Sequence, residues 1–270
     1  MMQIRPNHYP EHFIRYLGTA GTRFVMLSQE RASGGIWFSY GGVNGVIDPG
    51  PGSLVQICNA VPTLDAMDLD ALLLTHRHID HSTDMNVLCE AMTNAGHCKR
   101  GTVLVPLDAR KTSNPILYRY ISKMVQRYTT VKDGIRISIG KQVCVEPILH
   151  LHHGVDCFGF IFRSPGLPTW GIISDTFPLS HLPDRYRECE MISVNTTMPL
   201  PRNKLQHFSV SDVESLLGRI APKLLILTHL GRGILSLGAE TIAQELCTSR
   251  TQAIAATDGM VIDLKKLSFS

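Results

Sequence analysis

Residues 75–81 read Thr-His-Arg-His-Ile-Asp-His and place four side chains that can bind a metal within six positions. They end an apolar run, residues 69–75, which predicts a buried β-strand. His76 and His78 are two residues apart, so both rings can point the same way in an extended loop, while Asp80 and His81 can face a second ion. Neutral imidazole nitrogens bind zinc at about 2.0–2.1 Å. The stretch therefore predicts a metal site at the end of a strand.

On either side of this stretch, short apolar runs alternate with turn-forming residues. Residues 48–53 read Asp-Pro-Gly-Pro-Gly-Ser, which must leave the strand before them. Ser82 is positioned as the N-cap of a following helix. Strands are predicted at 23–28, 35–40, 44–47, 69–75, 135–139, 142–147, 158–162, 169–173, 191–195, 223–228, 253–256 and 260–264, and helices at 83–95, 116–128, 210–220 and 239–247.

The clearest periodic segment is the predicted helix 116–128. Asn114 before a proline supplies an N-cap with proline at the first helical position. Apolar residues then recur at helical spacing, and Arg119, Lys123 and Arg127 form a basic stripe on the opposite face. Such a stripe is usual for a solvated helix face, and guidance of an anionic substrate is the alternative.

The order of elements, strands then helix and the same again, predicts two sheets packed face to face with helices outside. No linker rich in proline, glycine or serine divides the chain, so we expect one domain over residues 1–270. The chain has 270 residues, of which 44% are hydrophobic and 18% charged, which favours a packed core over disorder. The net charge of +3 is too small to indicate nucleic acid by itself.

Cysteine usage and the opening segment bear on the compartment. The seven cysteines are odd in number and form no Cys-x-x-Cys pair, so neither a disulfide framework nor a thiolate zinc knuckle is expected. Residues 1–13 contain charges and prolines but no apolar run, and no stretch is long enough to span a bilayer. We therefore expect a cytoplasmic protein without a membrane segment.

The motifs together resemble the metallo-β-lactamase superfamily, whose hallmark is His-x-His-x-Asp-His after a strand. Residues 76–81 match this hallmark in full. Asp48 resembles the family's first motif, an aspartate that orients the ligand loop. Asp175 resembles the carboxylate that bridges two ions, and His229 resembles the final ligand at a strand end. The resemblance covers residues 20–265 and implies an αββα four-layer sandwich, in agreement with the order of elements.

The remaining histidine ligand is ambiguous, because His150, His152 and His153 are all candidates. In the phosphodiesterase branch this motif reads histidine, a small residue, three variable residues, then aromatic, glycine and aromatic. Residues 153–160 match that pattern, so the resemblance assigns His153. On a strand, however, His150 and His152 would share a face opposite His153. Only one of these two sets can point at the metals.

The resemblance implies two divalent metal ions. Zinc is favoured, and manganese or iron fits a set of nitrogen and oxygen ligands nearly as well. One ion is assigned three histidines, the other an aspartate and two histidines, and one aspartate bridges them: His76, His78 and His153; Asp80, His81 and His229; and Asp175. In such centres the ions lie roughly 3.5–4 Å apart and generate a bridging hydroxide nucleophile. Asp80 would be catalytic by holding or accepting the proton of that nucleophile.

His207 is a second candidate catalytic residue, in the context His-Phe-Ser before the predicted helix 210–220. Superfamily members that cleave phosphodiesters, such as tRNase Z and the cyclic phosphodiesterase of phosphonate breakdown, have a histidine in a similar context. There it contacts the scissile phosphate or protonates the leaving oxygen, so the resemblance implies an acid role for His207. A surface or helix-capping histidine is the alternative. The short segment between His153 and Asp175 leaves no room for the long arm with which tRNase Z grips tRNA.

We therefore expect a phosphodiesterase that acts on a small anionic or cyclic nucleotide-like phosphodiester, or on a nucleic-acid end. The same metal centre can hydrolyse a thioester, a lactone or another carbonyl substrate, because the fold alone does not select the substrate. A metal-stabilised binding protein without activity is a third alternative. Relatives often form homodimers, but no sequence feature identifies an interface.

Overall fold

The computed structural model describes residues 8–202 and 204–270 as two β-sheets with helices on their outer faces. Residues 1–7, part of the segment in which no leader is predicted, lie outside the described residues. In chain order the strands are β1 (Phe13–Tyr16), β2 (Ile36–Tyr40), β3 (Val43–Ile47), β4 (Ala71–Leu73), β5 (Arg100–Val105), β6 (Val125–Thr130), β7 (Ile137–Ile139), β8 (Val143–His152), β9 (Val155–Arg163), β10 (Trp170–Ile173), β11 (Met191–Met198), β12 (Phe208–Ser209), β13 (Leu224–Thr228), β14 (Gln252–Ala255), β15 (Val261–Asp263) and β16 (Ser268–Phe269).

The two sheets divide the chain nearly in half. The first has the order β16-β15-β1-β2-β3-β4-β5-β6, and the second has the order β14-β13-β11-β10-β9-β8-β7, with β12 paired to β11. The helices are α1 (Thr22–Ser28), α2 (Ser53–Cys58), α3 (Ile79–Ser82), α4 (Met85–Met92), α5 (Leu107–Arg110), α6 (Arg119–Met124), α7 (Leu182–Tyr186), α8 (Val210–Leu217), α9 (Arg232–Leu237) and α10 (Ala239–Glu245). None of the helices in these described ranges is both long and apolar enough to cross a bilayer.

Three hydrophobic layers hold these elements together. Between the sheets, the rings of Phe162 and Trp170 stack at 5.0 Å and Phe38 contacts Phe162 edge-on at 5.2 Å. A second layer joins the first sheet to α4 and α6, and a third joins the second sheet to α8 and α10. Full burial of such side chains contributes about 1.5–3 kcal/mol each. The layer order is helix, sheet, sheet, helix, so the predicted αββα sandwich is confirmed.

The parallel strands of both sheets point their carboxyl ends at one edge of the sandwich. β3 and β4 are parallel in the first sheet, and β10, β11 and β13 are parallel in the second. The chain segments that leave these ends carry the predicted site residues. The N–H of Phe158 in β9 donates to the carbonyl of Thr75 at 3.0 Å and so links the two sheets beside this edge.

Two predicted elements are wrong. Residues 23–28 form helix α1 and not a strand, because the segment lies outside the sheets and buries only Val25 fully. The predicted helix 116–128 is reduced to α6, and the chain continues as β6, which pairs parallel to β5 at the edge of the first sheet. Arg127 therefore lies on a strand and donates to the carbonyl of Ser138 at 2.9 Å. Arg119, Lys123 and Arg127 do not form one helix face.

Helix boundaries near the metal-binding motif also differ from the prediction. Ser82 ends the short helix α3 and donates to the carbonyl of His78 at 2.9 Å, so it is not the N-cap of α4. Asp84 precedes α4, and its carboxylate accepts the N–H of Leu54 at 3.0 Å. The predicted helix 210–220 is confirmed as α8, which begins with a capping box between Ser209 and Asp212.

Candidate metal centre

Asp48 holds the loop that follows β4. At the end of β3 it adopts a left-handed backbone with φ 52°, and its carboxylate accepts the N–H and the hydroxyl of Thr75 at 2.7 and 2.6 Å. The same carboxylate accepts Nδ1–H of His81 at 2.9 Å. Gly50 lies directly against the carbonyl of Asp80, where any side chain would collide. The first motif thus orients the histidine loop, as the resemblance implied.

Three imidazoles converge on the side of this loop that faces β8. Nδ1 of His78 lies 3.0 Å from Nε2 of His76 and 3.1 Å from Nε2 of His152. The Thr75 hydroxyl gives its hydrogen to Asp48, so at 3.0 Å it accepts Nδ1–H of His76. His152 donates Nδ1–H to the carbonyl of Gln206 at 2.9 Å. Both Nε2 atoms therefore present lone pairs, and lone pairs this close together suit a shared cation.

The structure brings His152, and not His153, to His76 and His78. His153 does not join His76 and His78, because β8 continues to His152 and β9 begins at Val155; it lies close to His152 and His207 instead. His153 is thus the first residue of a two-residue turn and is exposed. The strand alternation that grouped His150 with His152 was the correct signal, since both are buried on one face of β8.

His150 faces a different set of polar groups deeper in the second sheet. Its Nδ1 lies 3.0 Å from the hydroxyl of Ser174, and its Nε2 lies 3.1 Å from the hydroxyl of Tyr186. Burial lowers the pKa of His150 to about 3. Since both ring nitrogens have partners and the ring is buried, His150 supports the strand that carries His152 and does not reach the site.

A second cluster contains Asp80, His81 and His229. Oδ2 of Asp80 lies 3.7 Å from Nε2 of His81 and 3.6 Å from Nε2 of His229. Both Nε2 atoms are buried and have no hydrogen-bond partner among the described residues. Leaving a buried polar atom unpaired costs about 1–3 kcal/mol. Two such atoms facing one carboxylate fit a bound cation, which would use both lone pairs.

Asp175 lies between the two clusters. Its Oδ2 is 3.5 Å from Nε2 of His81 and 3.7 Å from Nε2 of His152, and its Oδ1 is 3.3 Å from Nδ1 of His229. Burial alone would raise the pKa of this carboxyl, but His229 and His207 outweigh it and hold the pKa well below its usual range. Asp175 thus lies within reach of both clusters, and the bridging role that the resemblance implied for it stays a prediction.

His207 borders the same carboxylate. Its Nδ1 lies 3.6 Å from Oδ2 of Asp175 and 3.3 Å from the hydroxyl of Thr197. Burial lowers the pKa of His207, but Asp175 outweighs this effect and raises it above its ordinary value. Asp175, His207 and His229 also lie close enough together to share one ion. An acid role and a ligand role are therefore both open to His207 on geometry.

Three further residues in contact with the site were missed from the sequence. Asn195 donates to Oδ1 of Asp175 at 2.8 Å, the hydroxyl of Thr197 lies 3.3 Å from Nδ1 of His229, and Gln206 accepts the proton of His152. Asn195 and Thr197 were detectable in principle, because they alternate at the end of β11. That strand lies between the two strands that lead to Asp175 and His229. No sequence signal marks Gln206.

Comparisons with known proteins bear on the family and the fold of this chain. The family model for the beta-lactamase superfamily domain matches residues 44–230. An uncharacterized protein of Methanocaldococcus jannaschii is 26% identical over 259 residues, which cover 93% of this chain and 94% of that protein. A ribonuclease Z of Methanopyrus kandleri is 27% identical over 158 residues, 58% of this chain and 52% of that protein. The crystal structure of human tRNase Z, short form, has a TM-score of 0.69 at 15% identity and covers 93% of this chain and 99% of that chain.

Proposed function

Because this chain belongs to the metallo-β-lactamase superfamily of metal-dependent hydrolases, we propose that it is a phosphodiesterase with two metal ions. Each ion would have three ligands of its own, with Asp175 between them: His76, His78 and His152 for one, and Asp80, His81 and His229 for the other. The unpaired Nε2 atoms of His81 and His229 support this arrangement. Zinc suits imidazole and carboxylate ligands, and manganese or iron is the alternative.

When bound, two such ions supply an activated water at neutral pH and neutralise charge that develops on the substrate. The chain's own residues complete the chemistry. Burial would raise the pKa of Asp80, but His81 and His229 outweigh it and lower the pKa. Asp80 therefore stays ionised and can hold the nucleophile by accepting its hydrogen bond.

His207 is the residue that favours a phosphodiester over a carbonyl compound as the substrate. Its Nδ1 lies 3.6 Å from Oδ2 of Asp175, and in the metal-free protein this carboxylate raises the pKa of His207 and so favours its protonated form. A protonated imidazole there can donate to the leaving oxygen of a phosphodiester. The match to a ribonuclease Z over 58% of this chain supports the same substrate class.

The substrate class includes small or cyclic nucleotide-like phosphodiesters and nucleic-acid ends. Residues 154–174 are taken up by the short β8–β9 turn, by β9 and β10, and by the turn that joins these strands. They leave no segment to form a long substrate-gripping arm. A compact substrate is therefore favoured over a folded RNA that needs such an arm.

The test is His207→Ala with bis(p-nitrophenyl) phosphate and zinc- or manganese-loaded protein. Turnover is expected to fall about 10²-fold or more, as for loss of an acid catalyst, while metal content stays unchanged. His97→Ala removes an exposed imidazole from the turn after α4 and should change neither value. Loss of one metal equivalent in His207→Ala would make His207 a ligand. Faster turnover of thioesters or lactones than of phosphodiesters by the unaltered protein would refute the proposal.

A further inference from the structure

The turn between β8 and β9 places an unexpected residue, His153, on the solvent-exposed side of the metal centre next to His152, which we call the mouth of the centre. Its two residues, His153 and Gly154, have φ values of 41° and 72°. Turns with positive φ at both positions favour Asn-Gly, Asp-Gly or Gly-Gly, because most side chains are strained there. Histidine enters this region more readily than most residues, yet glycine or asparagine would fit with less strain. The turn itself therefore does not explain the imidazole.

Gln206 fixes the orientation of this imidazole. The N–H of His153 donates to Oε1 of Gln206, and the N–H of Gln206 donates to Nε2 of His153 at 3.4 Å. Since Nε2 accepts, Nδ1 carries the ring proton. Within residues 8–202 and 204–270, Nδ1 of His153 has no hydrogen-bond acceptor. Gln206 also accepts the proton of His152. One residue thus turns His152 toward the metal centre and leaves His153 with a free donor.

The surroundings of His153 suit an anion. Its ring centroid lies 4.6 Å from that of His152 and 5.7 Å from that of His207. The N–H of Gly21, which precedes helix α1, donates to the carbonyl of Leu230 at 2.9 Å and so places the start of that helix next to His229. Burial is the largest effect and lowers the pKa of His153; His207 and the nearby Arg23 lower it further, against the opposite effect of the buried Asp175. The free N–H of His153 thus shares the mouth with two basic side chains.

We propose that His153 is a substrate-binding residue that donates Nδ1–H to an anionic oxygen of the substrate at the mouth of the metal centre. This role differs from that of His207, which acts on the leaving oxygen, and from that of His152, which faces the metals. The proposal rests on the proposed function for the identity of the substrate as a phosphodiester. The anion-binding role itself is testable without turnover.

The experiment compares His153→Gly and His153→Asn in zinc-loaded protein. Glycine and asparagine both accept the left-handed backbone of the turn, so the fold is retained. The dissociation constant of inorganic phosphate is measured by calorimetry, and KM and kcat with bis(p-nitrophenyl) phosphate. Loss of a hydrogen bond to a charged group should weaken phosphate binding and raise KM about 10-fold or more in the glycine variant. The value of kcat and the zinc content should change little.

Asparagine offers a shorter N–H donor and should recover part of the affinity, whereas His97→Ala should bind phosphate like the unaltered protein. Unchanged phosphate affinity and KM in His153→Gly would overturn the proposal, and so would loss of a zinc equivalent, which would make His153 a ligand. If the unaltered protein cleaves no phosphodiester but its phosphate binding still depends on His153, the proposed function fails and this inference stands.

Discussion

Replacing Asp48 with asparagine tests how the metal centre is held, because the change keeps the shape of the side chain and removes one acceptor. Oδ1 of Asp48 accepts the N–H of Thr75 at 2.7 Å, while Oδ2 accepts the Thr75 hydroxyl at 2.6 Å and Nδ1–H of His81 at 2.9 Å. Asparagine tolerates the backbone φ of 52° at this position. With an amide nitrogen in place of Oδ2, the amide N–H would face two other donors, the Thr75 hydroxyl and Nδ1–H of His81.

The imidazole can relieve this conflict only by changing its tautomer. Nδ1 of His81 would then accept from the amide, and the proton would move to Nε2, the atom that faces Asp80. A protonated Nε2 cannot bind a metal. Loss of a hydrogen-bond partner behind a metal-binding histidine typically costs 10- to 100-fold in affinity, which is about 1.4–2.7 kcal/mol. We expect Asp48→Asn to lose this much affinity for one of two zinc ions.

The assay is competition for zinc against a chromophoric chelator, with Asp258→Asn as the matched control. Asp258 accepts the N–H and the hydroxyl of Thr19 at 2.9 and 2.7 Å and the N–H of Ala32 at 2.7 Å, and it has no hydrogen bond to a histidine among the described residues. Its replacement removes a similar set of hydrogen bonds and should lower the melting temperature without a comparable loss of zinc affinity. Zinc affinity in Asp48→Asn equal to that of the unaltered protein would refute the reasoning.

The remaining predictions concern His81 and Gly50, which packs against the histidine loop. Burial lowers the pKa of His81, but Asp80 and Asp48 outweigh it and raise the pKa well above its ordinary value. Zinc binding to the metal-free protein should therefore release protons and tighten as pH rises. Binding enthalpies at pH 7 that do not vary with the ionisation enthalpy of the buffer would contradict this. Because its pKa is raised, His81 stabilises the metal-free fold below about pH 6.5, its unfolded pKa, and this contribution is lost as pH rises through the folded value. Gly50→Ala should destabilise the protein by about 1–3 kcal/mol in urea unfolding, because the new methyl group collides with the carbonyl of Asp80. In the control Gly218→Ala the methyl group meets only ordinary contacts, so its free energy of unfolding should lie within about 1 kcal/mol of that of the unaltered protein. Equal stability of the two variants would show that the histidine loop moves aside without cost.

The sequence predicted the parts of the fold that local pattern determines. Buried strands such as β4 and β13 are continuous apolar runs, and the helix α8 has both periodicity and a capping box. The strand prediction for residues 23–28 was wrong because a short apolar run is compatible with either a helix or a strand. Residues 125–130 failed because pairing with β5 outweighed the helical spacing of the apolar side chains.

The candidate site was predictable where the spacing within one loop is decisive. The motif of residues 76–81 is local, and Asp175 and His229 follow strands whose ends meet at one edge. His152 was missed because the choice between adjacent histidines depends on where β8 ends, which is set by its pairing with β9 through His152 and Val155. Gln206 was missed because its contacts join segments more than fifty residues apart. The assignment of ligands to individual ions, and one domain over the whole chain, stay predictions.

The groups that surround Asp175 come from both halves of the chain. The first-sheet half of the chain supplies His76, His78, Asp80 and His81, whereas in the second sheet His152 ends β8 and His229 follows β13. Among the residues that the structure describes, neither half alone supplies all the ligands assigned to the two cations. Metal binding would then require the two halves to be packed together, and bound metal would stabilise that packing. At a free ion concentration 1,000 times the dissociation constant this stabilisation amounts to about 4 kcal/mol. Loss of the metal ions would then abolish activity and weaken the packing of the two sheets at the same time.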